Sequence, residues 1–114
     1  MAETRSPILQ GTLDLMVLKT LDQMGSLHGY SIARRIEQVG GHALALNQGT
    51  VHLCLVRLLQ RKWISARWGT SDNNRRAKYY SLTKAGRRQL QAEAARWERV
   101  AGVIWRILQP EGRG

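Results

Sequence analysis

The last third of the chain carries one uninterrupted helical pattern. From Leu90 through Ala94, Trp97, Ala101 and Ile104 to Leu108, apolar residues recur at alternating steps of four and three, the seam of a coiled coil. Thr83 stands ahead of it as a helix cap, while Pro110, Gly112 and Gly114 cannot extend it. A seam of that length packs on another helix, and its burial within one copy of a 114-residue chain would be incomplete. These six residues are therefore assigned to dimerisation, with a second copy as the partner.

Upstream, three shorter helices are legible. Thr12 can cap a helix over residues 12–24 in which Leu13, Val17, Leu21 and Met24 recur at helical spacing, with Gly25 as the stop. A turn over residues 26–30 leads into a second helix, with Ile32, Ala33, Ile36 and Val39 on one face, Arg34 and Arg35 outward, and Gly40 and Gly41 at its end. Residues 43–46 read as a brief extended stretch. Asn47 then caps a third helix whose buried stripe is Val51, Cys54, Leu55, Leu58 and Leu59. Residues 63–68 and 78–82 alternate bulky side chains around a turn-rich tip at 69–74, which predicts a β-hairpin. Of Tyr79 and Tyr80, adjacent on a strand, one faces the core and the other the surface.

The expected fold is mainly α with a small β-hairpin: a winged helix-turn-helix over residues 9–83 and a long C-terminal dimerisation helix over residues 84–109. In that architecture the third helix enters the major groove and the wing touches the flanking backbone or minor groove. The charge map agrees. Residues 57–88 hold ten cations against the single anion Asp72, and so carry nearly all of the formal net charge of +10. Trp63, Trp68, Tyr79 and Tyr80 lie among those cations, as a polyanion-binding surface requires, and the implied partner is nucleic acid.

Other classes are excluded or disfavoured by composition. One cysteine precludes an internal disulfide and any cysteine-based zinc cluster, and the three histidines lack ligand spacing, so no metal or cofactor is expected. Charged residues interrupt each apolar run before membrane-spanning length, and residues 1–7 lack a signal-peptide pattern, so a cytoplasmic protein is expected. No nucleophile–base motif, phosphate-binding glycine loop or paired carboxylate supports catalysis. Cys54, on the buried stripe, reads as an inert core thiol. His28 reads as a structural turn residue, and His42 as a loop residue.

Three segments together carry a family likeness: Gly11-Thr12-Leu13-Asp14-Leu15, Leu27-His28-Gly29-Tyr30-Ser31-Ile32-Ala33, and the run from Trp68-Gly69 through Asn73-Asn74-Arg75-Arg76-Ala77-Lys78-Tyr79-Tyr80-Ser81-Leu82-Thr83-Lys84-Ala85-Gly86. They resemble the PadR family of bacterial transcriptional regulators, and specifically its short subclass with one C-terminal dimerisation helix. The resemblance spans about residues 9–108. It implies a dimeric repressor of a promoter operator in double-stranded DNA, relieved by a small aromatic or otherwise hydrophobic effector. The third helix departs from the family's habitual Tyr and Pro, with Gly49-Thr50-Val51-His52-Leu53-Cys54, and Lys62 replaces the glycine that commonly closes it.

On the third helix the DNA-binding candidates are Gln48, Thr50, His52, Leu53, Val56, Arg57 and Gln60. Thr50 and His52 suit phosphate near the helix start, Arg57 and Gln60 suit guanine and adenine edges, and Leu53 and Val56 suit thymine methyls. In the wing they are Asn73, Asn74, Arg75, Arg76 and Lys78, since a narrow minor groove attracts arginine. Trp97, flanked by small Ala94 and Ala101, either fills the dimer core or leaves room for a planar effector. Trp105, off the seam, is expected to pack on the first helix. Two rival readings remain: a dimeric protein-interaction module of winged-helix fold that has lost specific DNA reading, and an RNA-binding winged helix.

Overall fold

The computed structural model describes residues 7–41 and 46–110; the expected stretch at 43–46 lies largely outside them, as does His42. The first helix, α1 (Pro7–Met24), starts five residues before the expected cap, which places Thr12 inside it. Proline is favoured in a first helical turn because its missing N–H would be an orphan there. Gly25 ends α1 as expected, at a φ of 81° that suits glycine, and its N–H returns to the Leu21 carbonyl at 3.0 Å.

The residues read as a simple turn instead form a short strand, β1 (Leu27–His28), ahead of α2 (Gly29–Val39). His28 serves both elements: it pairs across the sheet, and its ring Nδ1 accepts the Ser31 N–H at 3.4 Å as the cap of α2. Ile32, Ala33 and Ile36 are buried as the spacing requires, whereas Val39 is exposed because it lies in the last turn, beyond the core.

Asn47 caps α3 (Gln48–Gln60), accepting from the N–H groups of Gly49 at 2.7 Å and Thr50 at 3.3 Å. Lys62 then takes a left-handed φ of 63° where the helix closes, with its N–H on the Leu59 carbonyl. A side chain there costs about 1 kcal/mol or more, as the missing glycine implied.

The hairpin strands, β2 (Ile64–Thr70) and β3 (Arg76–Leu82), are longer than expected and leave a tight loop at 71–75. That loop is closed by the Ser71 N–H on the Arg75 carbonyl at 2.7 Å, with Asn74 at a φ of 62°. The sheet has three antiparallel strands in the order β1-β3-β2 rather than the two expected, because Leu27 and His28 pair with Tyr80 and Tyr79. The register Ile64↔Leu82, Ala66↔Tyr80 and Trp68↔Lys78 puts these residues on one face, whose inner end is core. Tyr80 is buried there, and burial raises its phenol pKa. Tyr79 lies on the other face, over Gly69.

The core joins Leu13, Val17, Leu18 and Leu21 of α1 to the buried stripes of α2 and α3, Ile64, Tyr80 and Leu90. Thr83 caps the last helix, α4 (Lys84–Leu108), accepting from the Gly86 N–H at 3.0 Å. Its first turns dock on α1, where Arg87 pairs with Asp22. At 25 residues it spans about 37 Å, and the molecule is accordingly elongated, 60 × 29 × 25 Å. Two expectations about α4 are corrected. Leu90, read as a dimer-seam residue, is buried in the core of the chain itself because it sits in the docked section. Trp105 is exposed and does not pack on α1, because it lies beyond that section.

Candidate nucleic-acid interface

Helix α3 and the wing line opposite sides of one cleft of about 420 Å³. Gln48 and His52 enter it from α3, Ser71, Asn73, Arg75, Arg76 and Lys78 from the wing, and Tyr30 from the start of α2. Gln48 and His52 are thus brought together with wing candidates more than twenty residues later in the chain. The mechanism is local: Asn47 fixes the α3 start, and the β2–β3 register turns Arg76 and Lys78 toward that cleft. A concave surface with cations and amides on its walls complements a phosphate backbone.

The remaining α3 candidates separate by exposure. Leu53 is 62% exposed and Gln60 is open to solvent, while Thr50 and Val56 are half-buried. Exposed Leu53 on an otherwise polar face matches the apolar contact that a thymine methyl offers. Arg57 is placed differently. Its guanidinium holds the Asp14 carboxylate at 2.6 Å, and the Cys54 Sγ donates to the same oxygen at 3.0 Å. Arg57 therefore fastens α3 to α1 and is the least available of the set for a base edge. Burial, first, and the neighbouring Asp14 push the Cys54 thiol far above its ordinary pKa, which keeps it protonated and unreactive.

Sequence reading overlooked Tyr30, Ser71 and Trp68. Tyr30 looked like part of a turn, but as a first-turn residue of α2 it is exposed at the cleft. Trp68 stands with three other rings among the cations and has no role of its own in the sequence reading. It is exposed at the wing surface, with the Arg76 guanidinium 4.6 Å and the Lys78 ammonium 5.8 Å from its ring centroid.

A second concavity, of about 590 Å³, lies between α1, α2 and α4. Met16, Ile36, Val39, Ala94 and Trp97 supply apolar walls, and Lys19, Arg35 and Glu98 charged ones. Beyond it Val100, Val103, Ile104, Trp105, Ile107 and Leu108 leave α4 with an extended exposed apolar surface. No helix among the described residues is long and apolar enough to cross a membrane, and no His, Cys, Asp and Glu cluster among them suits a metal ion.

Three helices, a wing and a cationic cleft between the wing and the third helix define a winged-helix DNA-binding protein. The profile of the transcriptional regulator PadR-like family matches residues 17–92, two-thirds of the chain, and the chain belongs to that family. Solved structures agree. A PadR-like transcriptional regulator from Bacillus cereus superposes with a TM-score of 0.78 at 25% identity, covering 93% of this chain and 100% of that one. A PadR family transcription regulator from Clostridium difficile gives 0.72 at 27% identity over 85% and 98%. A transcriptional regulator from Clostridium thermocellum gives 0.80 at 23% identity, over 91% and 100%, a likeness of fold. The chain is accordingly a transcriptional regulator and not an enzyme.

Proposed function

We propose that this regulator is a homodimeric repressor that occupies a promoter operator through paired α3 helices and wings. The cleft shared by α3 and the wing is the observation that carries this reading, because cations and amides converge where a phosphate backbone would run. Residues 9–83 act as the DNA-binding unit and residues 84–109 as the dimerisation helix, whose first turns also serve the core. Gln48, Thr50 and His52 meet phosphates at the start of α3, and Leu53, Val56 and Gln60 face the bases. Arg57 acts chiefly by holding α3 on α1. Asn73, Asn74, Arg75, Arg76 and Lys78 follow the flanking backbone.

The exposed apolar surface of α4 supports dimerisation through Ala94, Trp97, Ala101, Ile104 and Leu108, since an apolar patch of this extent marks an interaction surface. The groove that reaches Trp97 supports relief by a planar hydrophobic effector in the cytoplasm. Such a ligand changes DNA affinity to the extent that it prefers one dimer geometry over another. Fluorescence anisotropy of duplexes from the DNA upstream of the regulator's own gene, with unrelated DNA as competitor, tests the proposal. Binding to one duplex that survives competitor supports it; salt-dependent binding with no preference contradicts it, and preference for structured RNA selects the rival reading.

A further inference from the structure

Trp68 lies on the face of the wing whose inner end is core, yet it projects past the core and is 56% exposed. The indole is therefore open to a partner on the wing surface. Its neighbours are specific. Lys78 lies directly across the strand pair and Arg76 on the diagonal, and both cations stand within cation–π range of the ring. The same two cations line the cleft opposite His52 and Gln48. An aromatic face that is flanked by ordered cations, inside a cationic surface, is suited to a sugar-phosphate unit.

We propose that Trp68, Arg76 and Lys78 form a backbone-binding subsite of the wing, in which the indole packs on a deoxyribose of the bound duplex. The two cations hold the adjoining phosphate. Trp68 has two effects: it buries sugar surface, and it keeps Arg76 and Lys78 extended before DNA arrives, which reduces the side-chain ordering that binding would otherwise require. The subsite reads no bases and serves every duplex alike. This inference rests on the wing being a DNA-contacting element, as proposed above.

The test is a set of anisotropy titrations with Trp68→Ala, Trp68→Phe and wild type, against the preferred duplex, a scrambled duplex and single-stranded DNA, each across a salt series. Trp68→Ala should weaken both duplexes by about tenfold, the scale of one aromatic contact to nucleic acid, and leave their ratio unchanged. Trp68→Phe should keep most of the affinity, yet lose the part of the DNA-induced quenching of tryptophan emission that Trp68 contributes. Trp68→Ala binding both duplexes within about twofold of wild type, with quenching unaltered in Trp68→Phe, would overturn the subsite while wild-type duplex binding left the parent reading intact. A loss confined to single-stranded DNA would also overturn it, because the ring would then be stacking bases. Should wild type bind no duplex at all, both readings fall. Thermal unfolding of Trp68→Ala separates lost contact from lost fold.

Discussion

Gly86 sits where the wing hands over to α4, and replacing it with alanine sets two physical effects against each other. Helix propensity alone favours the substitution by about 1 kcal/mol. Packing opposes it: a Cβ built on Gly86 would lie 1.9 Å from the Trp63 carbonyl oxygen, 2.8 Å from that carbonyl carbon and 2.9 Å from Leu82 Cδ1. A comfortable carbon–oxygen contact begins near 3.3 Å, so the start of α4 and the Trp63 peptide must separate by about 1.4 Å. That carbonyl accepts the Thr83 N–H at 3.0 Å, while Thr83 Oγ1 donates to the Lys62 carbonyl at 2.8 Å and accepts from the Gly86 N–H at 3.0 Å. A shift of this size disrupts all three bonds at about 0.5 to 1.5 kcal/mol each. The net expectation for Gly86→Ala is a loss of roughly 0.5 to 3.5 kcal/mol, a fall in Tm of about two degrees or more. Gly102, in the same helix, is the control, because the nearest atom to its Cβ is the flexible Arg106 Nη1 at 3.9 Å. Gly102→Ala should gain about 1 kcal/mol. Thermal unfolding by circular dichroism, at one protein concentration, reads both variants. If Gly86→Ala is as stable as Gly102→Ala, the close packing of α4 on Trp63 is refuted.

Ala101→Glu places a charge in the exposed apolar surface of α4 and should yield monomers, at a cost of about several kcal/mol to association; sedimentation that still shows a dimer would contradict the seam. The double variant Arg75→Ala with Arg76→Ala should weaken binding to every duplex and flatten log K against log salt by up to about 1.8 per subunit, and an unchanged slope would place the wing away from the backbone. Burial keeps the Cys54 thiol protonated in the folded state beyond its ordinary value of 9.0, so stability should fall once pH rises past that value and the unfolded chain releases the proton. By pH 10 the wild type should lose about 1.4 kcal/mol that Cys54→Ala does not. Parallel pH curves from chemical denaturation of the two proteins would refute that reasoning.

The helices and the wing were legible because their signals are local. Asn47, Thr83 and Gly25 each satisfy or end a helix through their own chemistry, and the alternation in the hairpin fixes which residues share a face. What escaped was set by tertiary contact. The strand Leu27–His28 is too short to carry a period and exists because β3 offers it an edge. Leu90 fits the coiled-coil spacing as well as Ile104 does, and only the docking of α4 on α1 assigns it to the core. Arg57 is the one arginine or lysine of α3 and suits a base edge by its type, yet Asp14, forty-three residues earlier, claims its guanidinium. Tyr30 and Trp68 are aromatic residues whose type alone does not settle burial: the start of α2 leaves Tyr30 open at the cleft, and the length of the hairpin carries Trp68 past the core.

The central claim is that two α3 helices and two wings read one duplex together, and footprinting on the preferred DNA tests it most directly. Hydroxyl-radical cleavage in the presence of the dimer should show two protected half-sites about one helical turn apart, roughly 10 base pairs centre to centre, flanked by weaker wing protection. Gln60→Ala should alter the preferred bases within the half-sites at a cost of about 1 to 3 kcal/mol, without moving the flanks. A single protected patch, or half-sites indifferent to Gln60 and Leu53 substitution, would contradict the assignment of α3 as the reading helix.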